Sequence, residues 1–491
     1  MSEVKKEPEK INRRSYLKYV GAGVVVVAVA GAGAYYATMP AAPPTTPTTQ
    51  TTTPITETVT ESMATTTGIP PEAVTSTLTF DDWAYRPEAV AQYVDTFNKV
   101  YGEKVNVETI TGDYRVSITG KLASGSPVDL LYAFPFYISG WYNAGYLADI
   151  DSLPTLQNYL NDVYPNLKDA YKDQRTGHYL GLGYFTSWIC TQTNQAILEK
   201  AGLKDAYPKD LFEFIDQLRT LKKGGYAESP WQPWWAQADY AIPWQFEHDH
   251  ATQGAQLFDN NYDPVFDTNT ATADILKIWK DAYDERLVPR DSLTTTLSDW
   301  QAGFAAGTYA YMMEQCYDIA YYNDPANSKL AGKFSFIPDQ SGGNKWGFVL
   351  SPGYVITKRD RTPMELQRLY RLLSFFGYRD NTNTLRVART WALPPSQLFS
   401  VFPEVMNDMD VKQNWITKGC PYRGEEDYNR LLEGYFSATV PSWWLSCPFS
   451  NDFNVKLQER IPGAITGQTS IPDTITALRK DAQDLKKALA T

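Results

Sequence analysis

The four cysteines of this 491-residue chain, Cys190, Cys316, Cys420 and Cys447, form no CxxC pair. That spacing argues against a structural zinc or a thioredoxin-like redox site. Two states stay open: two disulfides, in any of three connectivities, as an exported chain permits, or four buried thiols. Histidine is scarcer, at three residues, His178, His248 and His250, so general bases of the usual kind are few. Positive charge is also short: 45 Lys and Arg face 56 Asp and Glu, a net charge of −11. A chain without a basic stripe has nothing to exchange for phosphate counterions, which excludes a nucleic-acid binder. There is no G-x-S-x-G, no Walker loop, no H-E-x-x-H and no G-x-G-x-x-G, so the common enzyme signatures are missing. No Asn-x-Ser/Thr acceptor occurs anywhere.

Aromatic residues are abundant instead, with 14 Trp, 33 Tyr and 21 Phe. They suit either a large core or a cleft in which rings stack on a ligand. Hydrophobic residues at 43% and charged residues at 21% mark a globular chain, long enough for two or three domains.

The N-terminus reads as a targeting segment. Lys5, Lys6, Lys10, Arg13, Arg14 and Lys18 precede an uncharged run from Tyr19 to Met39. Positive charge before an apolar run keeps that end in the cytoplasm. Arg13-Arg14-Ser15-Tyr16-Leu17-Lys18 resembles a twin-arginine export signal. The run has the length of a membrane span, so residues 1–39 are expected to export the chain and to stay as a membrane anchor on the extracellular face. Residues 40–72 are almost all Thr, Pro, Ala, Ser and Glu, the composition of an extended stalk.

From Ser76 the pattern turns globular. Thr77–Phe80, Lys104–Thr109 and Val128–Tyr132 read as strands, and helices over Pro87–Phe97 and Tyr114–Leu122 separate them. Strands alternating with helices predict a mostly parallel sheet covered on both faces.

The stretch from Gly177 to Lys223 organises the remainder. A β-prone aromatic run, Tyr179–Cys190, gives way to a short helix capped by Asn194 and stopped at Gly202. A second helix starts behind Pro208, with Asp210 and Glu213 at capping-box spacing and Leu211, Phe212, Ile215, Leu218 and Leu221 at helical spacing. This order, an aromatic strand, Asn, then Ile-Leu-Glu-Lys-Ala-Gly-Leu and a Pro-led helix, resembles the family-1 extracellular solute-binding proteins, the sugar-type receptors of ABC importers. Gln192-Thr193 stand where that family has Tyr-Tyr, and Leu211 where it has Trp. Further segments resemble the family in the same order: LASGSPVDLLYA from Leu122, ISGWYNAGYLADID from Ile138, the helix ending in Leu287-Val288-Pro289, WQAGFAAGTYAYMMEQ from Trp300, the strand pair from Phe334 to Lys358, and the helix pair from Ile461.

The resemblance implies an α/β fold of two lobes, each a mostly parallel sheet flanked by helices and closing like a Venus flytrap. It places lobe 1 at 76–190 with a return segment at 332–392, and lobe 2 at 191–331 with a C-terminal helical segment at 393–491. It implies a monomeric, non-enzymatic receptor without a cofactor or metal, partnered by a sugar or oligosaccharide and by ABC permease subunits.

Ligands of open α/β sheets lie beyond the carboxyl ends of the strands. That rule selects Asp82 and Trp83 after the first strand, and Phe136 within the segment after the third. The resemblance adds Tyr184 and Trp188 near the hinge, Glu314 and Tyr317 after a second-lobe strand, and Trp346 in the return loop. Trp391 and Trp443-Trp444 suit second-lobe walls. Trp235, in Ser229-Pro230-Trp231-Gln232-Pro233-Trp234-Trp235, lies in a stretch too interrupted by proline for a regular helix and too aromatic for an ordinary surface loop. For each ring the competing role is core packing, since Trp is highly buried on average. Flat rings cover the C–H face of a sugar while polar groups engage its hydroxyl rim. A peptide or polyol ligand suits the same fold. A cell-surface glycoside hydrolase would use the same aromatics with paired carboxylates, and a structural surface protein would pack its Trp residues against a partner. Glu247-His248-Asp249-His250 is the one metal-like run, set against a solvated polar turn.

Overall fold

The computed structural model describes residues 76–236, 241–338, 345–438, 440–441, 443–444 and 447–489. The proposed signal, anchor and stalk, residues 1–72, lie outside the described residues. Among those described, no helix is long and apolar enough to cross a membrane.

Strand β1 (Leu78–Trp83) leads into helix α1 (Pro87–Tyr101), then β2 (Val105–Ile110), α2 (Tyr114–Ser124), β3 (Leu130–Ala133) and α3 (Pro135–Asn143). The sequence accounts for each boundary. Pro87 opens α1, which buries Val90, Tyr93, Val94 and Phe97 along one stripe. Gly102 closes it at φ 63°, a conformation glycine adopts without a Cβ penalty. The Asp113 carboxylate accepts from Val116 N at 2.9 Å to start α2.

β1 pairs in parallel with β2 and with β3. Beyond β3 the sheet changes direction. β10 (Gly353–Ile356) runs antiparallel between β3 and β4 (Gly181–Gly183), giving the order β2-β1-β3-β10-β4. The register sets Gly353 opposite both Ala133 and Gly183. Trp83, Phe134 and Tyr184 therefore emerge at one edge of this sheet.

The second sheet is built on β5 (Phe185–Asn194), ten residues without an exposed position. α4 (Gln195–Lys200) follows, capped by Asn194 and stopped by Gly202 at φ 73°, as the sequence predicts. In α5 (Leu211–Lys223) the Asp210 carboxylate caps Glu213 N at 2.8 Å, while Glu213 reaches back to Lys209 N rather than to Asp210 N. Phe214 rather than Phe212 completes the buried stripe, and Phe212 faces solvent. β6 (Trp231–Gln232) and α6 (Ala241–Thr252) follow, and every residue of α6 is buried. Then come α7 (Ala271–Asp284), α8 (Leu297–Ala305), β7 (Tyr311–Gln315), β8 (Phe334–Phe336) and β9 (Gly347–Leu350).

β7, β8, β9 and β11 (Phe399–Ser400) all run antiparallel to β5, and β6 alone joins in parallel, beside β7. Both sheets are thus mixed rather than mostly parallel. Strands that return along one long central strand must oppose it, whereas crossover helices keep β1, β2 and β3 aligned.

The chain changes sheet at Tyr184, between β4 and β5, and changes back at Ser351-Pro352, between β9 and β10. The two crossings lie side by side: Tyr184 N donates to Pro352 O at 3.3 Å, and Ser351 Oγ donates to Phe185 O at 3.1 Å. After α9 (Pro363–Gly377) and α10 (Arg386–Ala392), α11 (Glu425–Ser437) packs on β5. The final pair, α12 (Ser450–Thr466) and α13 (Ile471–Leu489), packs on α7.

Candidate ligand-binding site

At the shared edge of the first sheet, Trp83 is half-buried. Its ring stacks on Tyr85 and on Tyr132, both with centroids at 5.8 Å, and meets Phe134 edge-on at 6.0 Å. Trp391, brought in by α10, stacks on Tyr85 at 6.0 Å and touches Tyr93 and Tyr184. Tyr184 in turn stacks on Tyr354 at 4.8 Å. Asp82 sits among these rings at 4% exposure. Burial pushes its carboxyl well above the usual range, and the Trp83 backbone N–H offsets this only in part. The Tyr132 hydroxyl and the Trp391 indole N–H are buried without a hydrogen-bond partner.

A continuous run of rings leads from this edge to the second sheet. Phe134 stacks on Phe136, and Phe136 meets Trp244 at 6.2 Å and Trp444 at 6.0 Å. Trp244 stacks on Trp234, and Trp234 on Trp300. Phe348 closes the group against Trp444 and Trp244. The backbone joins in: Ser139 Oγ of α3 donates to Cys447 O at 2.8 Å.

Past Trp300, Gln301 donates to Asp318 at 3.0 Å, beside Glu314. Glu314 lies on β7 opposite Cys190 and has no exposed surface. One of its oxygens accepts from Gln315 N at 2.7 Å, and the other, Oε2, has no partner. Burial, together with the charge of Asp318, holds the Glu314 carboxyl well above the usual range, and burial raises Asp318 to about 7. Tyr317 belongs to a short 3₁₀ turn, Cys316–Asp318, directly after β7.

The other selected Trp residues are buried in packing, as Tyr184, Phe136 and Trp391 also are at 5%, 3% and 2% exposure. Trp188 packs against Phe336 and Tyr435, Trp235 against Trp231 and Trp279, and Trp346 against Phe214 and His248, each with no exposed surface. Trp443 is 6% exposed against Phe258, and Trp444 is fully buried. Open rings in the Trp231–Trp235 and Trp443-Trp444 segments are therefore not what the fold presents. Rings with this much apolar area are held by one another.

The Glu247–His250 run is also not a solvated turn. It lies within buried α6, where residues two apart diverge. His248 contacts Thr191 Oγ1 at 3.1 Å and Asp249 at 2.7 Å, and Trp279 Nε1 donates to Asp249 at 2.6 Å. His250 Nδ1 donates to Phe246 O at 2.7 Å, and burial lowers its pKa to about 4. Burial raises Glu247 to about 7, and Trp443 Nε1 donates to it at 3.1 Å. These are internal hydrogen-bond partners, not a pair of metal ligands. The cysteines are four buried free thiols, with Cys190 and Cys316 Sγ in contact at 3.5 Å.

Tyr85, Tyr132, Tyr354, Trp244 and Phe348 belong to the ring system but are not among the residues selected from sequence. The strand-end rule reaches Tyr132 when extended by one residue, whereas Trp244 carries no local signal because it lies inside a helix. A surface groove of about 330 Å³ beside Asp151 and Tyr179 is lined by none of the selected residues. At its margin Asp149, Asp151 and His178 bring three potential ligand atoms together, with His178 Nδ1 2.6 Å from Asp151.

No curated protein matches the sequence. Solved structures match its fold. The maltose-bound MalE3 of T. maritima is 17% identical with a TM-score of 0.67, the match covering 83% of this chain and 99% of that one. A solute-binding protein of Thermotoga lettingae bound with α-D-tagatose is 18% identical with a TM-score of 0.65, over 84% and 99%. A sugar transporter protein of Arthrobacter chlorophenolicus with bound laminaribiose is 13% identical with a TM-score of 0.65, over 83% and 99%. All share the two-lobed architecture seen here. Residues 92–395 match the bacterial extracellular solute-binding protein family, and the chain belongs to that family.

Proposed function

We propose that this protein is the extracellular receptor of an ABC importer and binds a sugar or oligosaccharide between its lobes. The observation that carries this reading is the ring system around Asp82. It runs from the first sheet to the second and includes buried polar atoms without partners. Rings cover a sugar face, and a few fixed polar groups orient it. Structural relatives with bound maltose, tagatose and laminaribiose support the class, and one with bound D-mannitol extends it to polyols.

The two crossings, Tyr184 and Ser351-Pro352, suit a hinge, because few backbone dihedrals need change for the lobes to close. In this reading residues 76–184 with 352–392 form lobe 1 and 185–351 with 393–491 form lobe 2, so the boundaries at 190 and 332 expected from sequence move to the two crossings, because β5, β8 and β9 lie in the second sheet. Asp82, Trp83, Tyr184, Trp391, Phe136 and Glu314 contact ligand, and permease subunits recognise the closed form. The protein acts as a monomer without catalysis. Residues 1–39 export it and hold it at the outer face of the membrane, with 40–72 as the stalk.

A thermal-shift screen of the full-length protein against sugars, polyols and peptides tests the class, because a ligand bound only by the native state raises Tm. Saturable stabilisation by a sugar or polyol, without turnover, is expected. Stabilisation by peptides alone overturns the sugar reading, and hydrolysis of an oligosaccharide overturns the non-catalytic one.

A further inference from the structure

The two chain crossings form one ribbon whose register slips. On the first-sheet side the ladder of β4 and β10 ends with Gly183 opposite Gly353. On the second-sheet side the ladder of β5 and β9 begins with Ser187 opposite Leu350. Tyr184, Phe185 and Thr186 therefore stand against only Ser351 and Pro352. An extra residue on one strand is the mark of a β-bulge, which bends the strand and leaves backbone groups without a ladder partner. Phe185 and Thr186 are held by the second sheet, where they pair with Ser400 and Phe399 of β11.

On the first-sheet side two tyrosine hydroxyls take up the unpaired groups. β4 is the edge strand of its sheet, so the outward N–H and C=O of Gly183 meet no further strand. The Tyr159 hydroxyl accepts from Gly183 N at 2.9 Å and donates to Gly183 O at 3.1 Å. The Tyr171 hydroxyl donates to Ser351 O at 2.7 Å. Ser351 Oγ donates in the other direction, to Phe185 O at 3.1 Å, so this one residue is tied to both lobes. Both tyrosines are buried, and glycines admit the Tyr171 ring. A Cβ on Gly181 would lie 2.8 Å from Tyr171 Cδ1, and one on Gly353 would collide with the Tyr171 hydroxyl. Neither tyrosine belongs to the ring system around Asp82; Tyr159 packs instead on Tyr378 and Phe402.

Backbone fixed on both sides of a slipped register confines bending to Tyr184 and Ser351-Pro352. Without its hydroxyl partner a buried backbone carbonyl is left unpaired, and the crossing must shift to satisfy it. Resting on the receptor reading, we propose that Tyr159 and Tyr171 are positioning residues that set the resting angle between the lobes, and with it ligand affinity, through their hydroxyl bonds to the two crossings. They touch no ligand. They pre-form the crossings, so that closure has little further backbone to order.

The test uses full-length protein spin-labelled at Val100→Cys and Phe212→Cys, exposed positions on opposite lobes of a chain whose native thiols are all buried. Pulsed dipolar spectroscopy reads the lobe-to-lobe distance without ligand, and calorimetry reads affinity for maltose, laminaribiose and mannitol. Tyr159→Phe and Tyr171→Phe, checked for folding by circular dichroism, should each shift or broaden the distance distribution. Each should also weaken binding of the saccharide or polyol that wild type takes by about threefold to tenfold. Tyr428→Phe is the control, because it loses a comparable buried bond, to Met406 O at 2.6 Å, wholly within lobe 2. It should lower Tm while leaving distance and affinity as in wild type. Distances unchanged in both crossing variants, or changed equally by Tyr428→Phe, overturn the proposal, as does a shifted distance with unaltered affinity. If no saccharide or polyol binds wild type, the receptor reading falls, and the distance measurement still decides whether the hydroxyls set the angle.

Discussion

Trp443 donates its indole N–H to Oε2 of Glu247 at 3.1 Å, joining the buried helix α6 to a segment 196 residues further along the chain. Glu247 is otherwise enclosed, and burial raises its pKa from 4.5 to about 7. A carboxyl raised on folding stabilises the native state most at low pH. That contribution is fully present below about 4.5 and is lost as pH rises toward 7.

Glu247→Gln should therefore be more stable than wild type at pH 8, by on the order of 3 kcal/mol, with the advantage vanishing near pH 4.5. Urea unfolding at both pH values measures it. His250, on the same helix, has the opposite sign: its lowered pKa gives stability present above 6.5 and lost as pH falls through about 4. The variant should accordingly lose stability in acid more steeply than wild type between pH 6.5 and 4.5. A stability difference independent of pH would show that Glu247 is ionised in the fold.

Trp83 and Trp235 should behave in opposite ways. Trp83 is half-buried at the sheet edge, so Trp83→Ala should weaken sugar binding about tenfold with a small change in Tm. Trp235 has no exposed surface, so Trp235→Ala should cost about 3–5 kcal/mol of stability. Affinity per folded molecule and Tm, measured together, separate the two. A Trp83→Ala protein with unaltered affinity removes that ring from the site.

Gly434 of α11 lies against the Trp188 ring, and a Cβ there would sit 2.6 Å from two of its carbons. The indole is buried beside Phe336 and Tyr435 and has no room to withdraw. Gly434→Ala should therefore lose about 1–3 kcal/mol despite the better helix propensity of alanine. Thermal unfolding that shows stabilisation would mean Trp188 repacks freely.

All four thiols are buried, and burial pushes Cys316 and Cys420 well above the ordinary thiol range. An aromatic disulfide reagent should find no reactive thiol in the native protein and four after denaturation. Two thiols after denaturation would mean that Cys190 and Cys316, in contact at 3.5 Å, are joined in the isolated protein.

Much of the local structure was legible because its causes are local. Asn194, Gly202, Asp210 and Gly102 cap or stop helices through contacts within a few residues of themselves. The alternation of β1, α1, β2, α2 and β3 follows from periodicity alone. The ordered family segments added the two-lobed plan, and the strand-end rule led to Asp82 and Trp83. Tertiary structure decided the rest. Whether a Trp lines a cleft or fills a core depends on neighbours far along the chain: Trp235 on Trp279, Trp188 on Tyr435. β5 belongs to the second sheet because its partners are β7, β8, β9 and β11, all more than a hundred residues away. The state of Glu314 was equally out of reach. Its residue type is in the sequence, but its lack of a basic partner among the described residues is a property of the folded space around it, where desolvation, not residue identity, sets its chemistry.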